Sequence, residues 1–80
     1  MKHAVETKFN IGDQVYVAEA YYELYACKEP RIITDILFGG NARHISVRYE
    51  LTHNGESDVV TEAWVFGSYE ECSKWCAEHN

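Results

Sequence analysis

The feature that most constrains the fold is a nine-residue run, His44–Thr52, in which apolar and polar side chains alternate. Successive side chains of a strand point to opposite faces of its sheet, so this run is typical of a strand with one buried face. Asn54-Gly55 follows almost at once and favours a type I′ turn, which needs positive φ at both central residues. Together they predict a β-hairpin. The first strand contributes Ile45, Val47, Tyr49 and Leu51 to its buried face.

Three other segments are rich in β-branched and aromatic residues and predict further strands. They are Val15–Val17, Ile32–Phe38 with Ile32, Ile36 and Phe38 on one face, and Asp58–Phe66. The two-residue turn pairs Tyr49 with Val60. Continued further, the same register pairs Val47 with Glu62 and Ile45 with Trp64. Glu62 would then lie on the apolar face, so either that face is open or a bulge shifts the register.

The segment 19–30 is ambiguous. Tyr21, Leu24 and Tyr25 have helical spacing, but the segment is short and ends at Pro30, which disfavours helix in the residue before it. We interpret it as a long loop with room for one helical turn.

Ser68-Tyr69-Glu70-Glu71 is a capping box and predicts a closing helix over 68–79. Residues 1–7 are polar and aperiodic and predict a frayed tail. No second domain is indicated, so one domain should consist of this tail, a β unit over 8–66 and the helix.

Two motifs carry a family resemblance. Residues 9–17, Phe-Asn-Ile-Gly-Asp-Gln-Val-Tyr-Val, resemble the opening strand of SH3-like, KOW-like and Tudor-like barrels. Residues 65–72, Val-Phe-Gly-Ser-Tyr-Glu-Glu-Cys, are similar to the barrel-to-helix junction of many short proteins from phages and bacterial mobile elements. The resemblance covers 8–78 and implies a mainly β fold, a small SH3-like antiparallel barrel with a short C-terminal α-helix. It implies no catalytic residue, and the Ala-Leu-Tyr-Asp-Tyr motif of peptide-binding SH3 domains is missing.

Charge and hydropathy restrict the function. Seven Lys and Arg stand against 13 Asp and Glu, a formal net charge of −6, and this excess argues against general nucleic-acid binding. The alternative of a nucleic-acid-associated KOW- or Tudor-like module would use Arg43 and Arg48 beside Tyr49. No apolar run approaches the roughly 20 residues of a membrane helix. The first residues do not resemble a secretory signal, so we expect a cytoplasmic protein with free thiols.

The cysteines suggest a second alternative, a metal-stabilised structural domain. Cys72, Cys76 and His79 share one helical face, and Cys27 could supply a fourth ligand. Free cysteines are more often buried core residues, so we expect no metal and no cofactor. No oxyanion-type glycine motif flanks Cys27, and no Lys-Ser/Thr follows Gly39-Gly40 as in a phosphate-binding loop. We therefore expect no enzymatic activity.

The segment 19–30 also holds the most suggestive functional feature, because tyrosines there alternate with acids. Tyrosines are enriched at interaction hot spots, and acids among aromatics suit a basic partner. The predicted partner-binding residues are Tyr21, Tyr22, Tyr25, Glu19, Glu23 and Glu29. The alternative, that two of the tyrosines cover one end of the barrel, remains open.

We thus expect a non-enzymatic protein-interaction module. The resemblance implies a phage or mobile-element accessory protein that binds or inhibits a host protein, and an anti-CRISPR-like role fits its size and acidity.

Overall fold

The alternating run forms a long strand inside an antiparallel sheet. The computed structural model describes residues 6–41 and 43–80. Its elements are β1 (Gln14–Tyr21), β2 (Glu23–Ala26), β3 (Arg31–Gly40), β4 (Ile45–His53), β5 (Glu56–Thr61), a 3₁₀ turn (Glu62–Trp64), β6 (Val65–Phe66) and α1 (Tyr69–His79). The strand order is β2-β1-β3-β4-β5, and β6 pairs with β1. The fold is therefore mainly β with one short C-terminal helix, as expected. The sheet is open, so the closed barrel is not confirmed.

The β4–β5 hairpin has the predicted turn and register. Asn54 and Gly55 have φ of 49° and 81°, as a type I′ turn requires, and Tyr49 pairs with Val60. The pairing stops at Arg48 and Thr61, where the chain enters the 3₁₀ turn. The prediction of one strand over 58–66 is therefore wrong beyond Thr61, and the pairs Val47–Glu62 and Ile45–Trp64 do not form.

A β-bulge at Thr34 corrects the predicted face of β3. The register with β4 shifts between Ile33 and Asp35, so Thr34 is an extra residue in the ladder. One extra residue reverses the alternation of side chains between the two faces. Ile33 is consequently buried, whereas Ile32, which was expected on the face of Ile36 and Phe38, is 43% exposed.

The segment 19–30 is not the long loop that we predicted. β1 continues to Tyr21 and pairs with β2 in a hairpin, with Ala20 opposite Leu24 and Tyr21 opposite Glu23. Leu24 and Ala26 lie two residues apart on one face of β2 and pack against α1. The spacing that looked helical therefore belongs to the β1–β2 hairpin, and the helix that covers β2 comes more than 40 residues later in the sequence.

β1 is buried on both faces. Val15 and Val17 belong to one apolar cluster, which the other sheet strands complete with Ile33, Tyr49, Leu51 and Val65. Ala18 belongs to a second cluster on the opposite face, with Cys72 and Cys76 of α1. Ser68 caps this predicted helix, since its Oγ accepts a hydrogen bond from Glu71 N at 3.2 Å. The helix therefore closes the side of β1 that the rest of the sheet leaves open.

A hydrogen bond with Tyr49 fixes the position of the Glu62 side chain. The Tyr49 ring is fully buried, and its hydroxyl donates a short hydrogen bond to the Glu62 carboxylate. The same carboxylate accepts from Lys8 N at 3.1 Å, and the Tyr49 hydroxyl accepts from Phe9 N at 3.3 Å. The Glu62 carboxylate is thus hydrogen-bonded just after β5 ends.

Part of the predicted N-terminal tail, residues 1–5, lies outside the described residues. Within the described part, Thr7 is half-buried and its hydroxyl donates to Phe9 O at 2.8 Å. In the segments 6–41 and 43–80, no helix has both the length and the hydropathy needed to cross a membrane.

Replacing Gly55 with Val should lower the free energy of unfolding by more than about 1 kcal/mol, because a β-branched residue is strained at positive φ. A Cβ at Gly55 would meet no atom within 4 Å, so the backbone alone causes this loss. Gly55→Asn is the control, since Asn tolerates this conformation. Urea denaturation measures the stability of both variants. Equal midpoints for Gly55→Val and Gly55→Asn would contradict the turn assignment.

Replacing Tyr49 with Phe should cost about 1–3 kcal/mol at neutral pH, because a partly buried carboxylate loses its hydroxyl donor. Burial, and then the bond to Glu62, raises the pKa of Tyr49 from its ordinary value of 10.0 to about 12. A folded-state pKa above the unfolded one gives stability that is present below pH 10 and lost as the pH rises towards 12.

Tyr49→Phe should therefore lose less stability across that alkaline range than the wild type does. Urea melts at several pH values measure this difference, and the other alkaline-titrating groups are common to both proteins. Parallel losses would show that Tyr49 titrates normally in the folded protein.

Candidate functional site

The most exposed aromatic residues lie at the end of the β1–β2 hairpin. Tyr22 forms the turn between the paired residues Tyr21 and Glu23, and its side chain is 99% exposed. Tyr21 is 71% exposed, and the two rings meet edge to face with centroids 4.7 Å apart. We call Tyr21 and Tyr22 the aromatic tip. Tyr22 covers no part of the core.

Tyr22 also has an unusual backbone conformation. Its φ is 63°, in the left-handed region that non-glycine residues seldom adopt. Glycine or asparagine is the residue that folding alone would favour at such a position, and Asn54 and Gly55 illustrate this in the other hairpin. A large aromatic side chain here gains no burial to offset the strain. Stability of the fold therefore does not explain why position 22 is tyrosine.

Two of the other predicted site residues are committed to an internal network. The Tyr25 hydroxyl donates to Glu19 Oε2 at 2.7 Å, and Arg31 Nη2 lies 2.9 Å from Glu19 Oε1. Arg31 also reaches Asp58 Oδ2 at 3.4 Å, and its side chain is only 12% exposed. The bond to Glu19, and then burial, raises the pKa of Tyr25. Glu19 and Tyr25 therefore join the base of the hairpin to β3 and β5.

The remaining acids of the predicted site also separate. The Glu29 carboxylate contacts the His53 ring at the β4–β5 hairpin and not the tip. Glu23 is exposed, and among the described residues its side chain has no hydrogen bond or ion pair. Of the six predicted residues, Tyr21, Tyr22 and Glu23 are thus adjacent and free to meet a partner.

The base of the hairpin is fixed by a contact that the sequence analysis missed. The side-chain amide of Asn80 accepts from Leu24 N at 2.7 Å and donates to Leu24 O at 2.9 Å. It therefore replaces a neighbouring strand at this position of β2. No local pattern links residues 24 and 80, and they meet only because α1, which Asn80 ends, packs against β2. The tip thus extends from an anchored hairpin.

The two arginines of the nucleic-acid alternative lie on the β3–β4 hairpin. Arg43 is in its turn, and Arg48 lies on the face of β4 opposite to Tyr49. Tyr49, the aromatic expected beside them, is fully buried and hydrogen-bonded to Glu62. It is therefore not available to stack on a base.

The predicted metal ligands lie in three different environments. Cys72 and Cys76 are buried under β1, and burial raises the pKa of the Cys72 thiol to about 12. His79 stacks on Trp75, with ring centroids 4.2 Å apart, and its Nδ1 lies 2.7 Å from Trp75 O. Cys27 lies beside Arg31, with Sγ 3.9 Å from Nη2. Over residues 6–41 and 43–80, no three potential ligands come together as a metal site requires.

The pattern of thiol burial predicts a kinetic difference. In the native protein Cys27 should react with a thiol-specific reagent first, because Cys72 and Cys76 are 0% and 3% exposed. Their reaction requires local opening, so it should be slower by about two orders of magnitude. Cys27→Ser should remove the fast phase, and denaturant should make all three equivalent. Faster labelling of Cys72 and Cys76 after addition of a chelator would instead indicate a bound metal.

No family model, no curated protein and no solved structure matches this chain.

Proposed function

We propose that the chain is a non-enzymatic protein-interaction module that binds its partner through the aromatic tip. The observation that carries this is Tyr22, an almost fully exposed tyrosine in a left-handed conformation. Strained backbone that folding does not require is found most often at binding and catalytic sites. Tyrosine supplies a large rigid contact area and a polar hydroxyl, as interaction hot spots do.

The partner surface should carry a basic side chain. Glu23 adjoins the two tyrosines, and the whole chain has a formal net charge of −6. A lysine or arginine could pack on the face of Tyr21 or Tyr22 while it pairs with the Glu23 carboxylate. Glu19 and Glu29 contribute less to such steering, because Arg31 pairs with Glu19 and the His53 ring already contacts the Glu29 carboxylate.

The proposal includes an SH3-like fold and an origin in a phage or mobile element. Two features support the fold: β1 pairs with β3 at its start and with β6 in its middle, and a 3₁₀ turn precedes β6. The resemblance of residues 9–17 and 65–72 to such proteins supports the origin. A host protein is then the partner, and inhibition of a host system, as by an anti-CRISPR, is one form of this role.

Tyr22→Gly separates binding from stability, because the two effects have opposite signs. Glycine relieves the positive φ, so the free energy of unfolding should stay equal or rise. Affinity for the partner should fall by about 30-fold or more, the effect of losing about 2 kcal/mol at a hot spot. Ile11→Ala is the matched control, because Ile11 is a large apolar residue that is also exposed, at 62%. This variant should keep full affinity.

The measurement compares proteins captured from bacterial lysate by wild type, Tyr22→Gly and Ile11→Ala, followed by affinity titration of the captured protein. A protein lost only with Tyr22→Gly supports the role of the tip. Equal capture by all three folded proteins would contradict it, and destabilisation by Tyr22→Gly would show that Tyr22 serves the fold.

A further inference from the structure

A second surface, separate from the aromatic tip, lies on the β3–β4 hairpin. We call residues 36–49 the arm. Its two strands pair continuously from Ile36–Tyr49 to Gly40–Ile45. Its turn is held by Asn41 N, which donates to His44 O at 2.8 Å. Gly40 has φ of 109°, and a Cβ there would lie 1.9 Å from His44 O, so the turn requires glycine. The arm is thus a preformed surface.

One face of the arm is apolar and only partly covered. Tyr49 is fully buried, and Ile36 and Val47 are half-buried against the first core. Further along the same face, Phe38 is 54% and Ile45 49% exposed. Neither of these two belongs to a core cluster of the described residues. The apolar face therefore continues beyond the part that this chain covers within the described segments.

The arm also differs from the rest of the chain in charge. It contains Arg43 and Arg48 and no acidic residue, so all 13 Asp and Glu lie elsewhere, with five Lys and Arg. Among the ion pairs of the described residues, neither arginine takes part. A basic, partly apolar arm is therefore joined to a strongly acidic body. The surface that complements the arm in charge is present on the chain itself.

We propose that the protein forms a two-fold homodimer through the arm. The two arms lie antiparallel with their apolar faces together, so that Phe38 and Ile45 of each copy pack against the other copy. A two-fold arrangement covers both faces at once and closes the assembly. The turn with Arg43 then lies over the base of the other arm, near the Glu62 carboxylate that Tyr49 and Lys8 N contact.

Size sets the expected strength of this dimer. Strand spacing makes the face about 17 Å long and about 10 Å wide, an area well below that of a standard specific interface. Weak association is therefore expected, with dissociation in the high micromolar range. Higher ionic strength should weaken the dimer, because the contact of Arg43 with the acidic body is exposed to solvent.

Sedimentation equilibrium from about 1 µM to about 1 mM tests this directly. The wild type should change from monomer to dimer over this range. Phe38→Asn should weaken the dimer at least tenfold. Val59→Asn is the matched control, because Val59 is 49% exposed and Glu50, its partner in β4, lies on the opposite face from Tyr49. This variant should dimerise as the wild type does.

Arg43→Glu provides an independent variant, because it leaves the apolar face intact. It should weaken the dimer and reverse its dependence on salt, because higher ionic strength then screens a repulsion. A wild type that stays monomeric at about 1 mM overturns the proposal. So does association beyond a dimer, which excludes a closed two-fold arrangement. A dimer weakened by Val59→Asn but not by Phe38→Asn places the interface on the opposite face, and an unchanged Arg43→Glu dimer excludes the antiparallel contact.

Discussion

The hydrogen bonds of the buried Tyr49 hydroxyl join three parts of the chain that would otherwise separate. Glu62 accepts from Tyr49 at the point where β5 stops, and Lys8 and Phe9 bond to the same pair. Because Glu62 is held there, the chain turns through 62–64 and returns as β6 to β1. A buried polar group must be hydrogen-bonded, and this one is bonded to the segments that close the first core.

A chain of 80 residues buries a limited fraction of its surface, so each strand must contribute efficiently. β1 does this by packing on both faces, with valines towards the sheet core and Ala18 towards the helix. Ala18 is small, and small side chains let Cys72 and Cys76 approach the strand closely. The helix cysteines are therefore packing residues in this structure, and their chemistry is suppressed by burial.

Local patterns predicted the parts of the fold that local physics determines. The alternation in β4, the Asn54-Gly55 turn and the Ser68 cap each depend on residues close in sequence, and each is present. The bulge at Thr34 could not be read in the same way. Its hydroxyl bonds Glu50 on the neighbouring strand, and that contact exists only after β3 and β4 have paired. The 3₁₀ turn likewise depends on Tyr49.

The candidate site shows the same dependence on tertiary contacts. The tyrosines around position 22 left two interpretations, an interface or a cover for one end of the barrel, and only the fold places Tyr22 fully on the surface. Which acids stay free could not be predicted either, because Arg31 and His53 approach Glu19 and Glu29 only through the tertiary fold.

The bond between Asn80 and Leu24 has a consequence for handling the protein. The outer edge of β2 carries backbone groups that could pair with a strand of another molecule, and such edges are starting points for aggregation. The Asn80 amide occupies both groups of Leu24. Substitutions or fusions that displace this side chain would uncover that edge, so loss of solubility after such a change would reflect an exposed strand and not an unfolded domain.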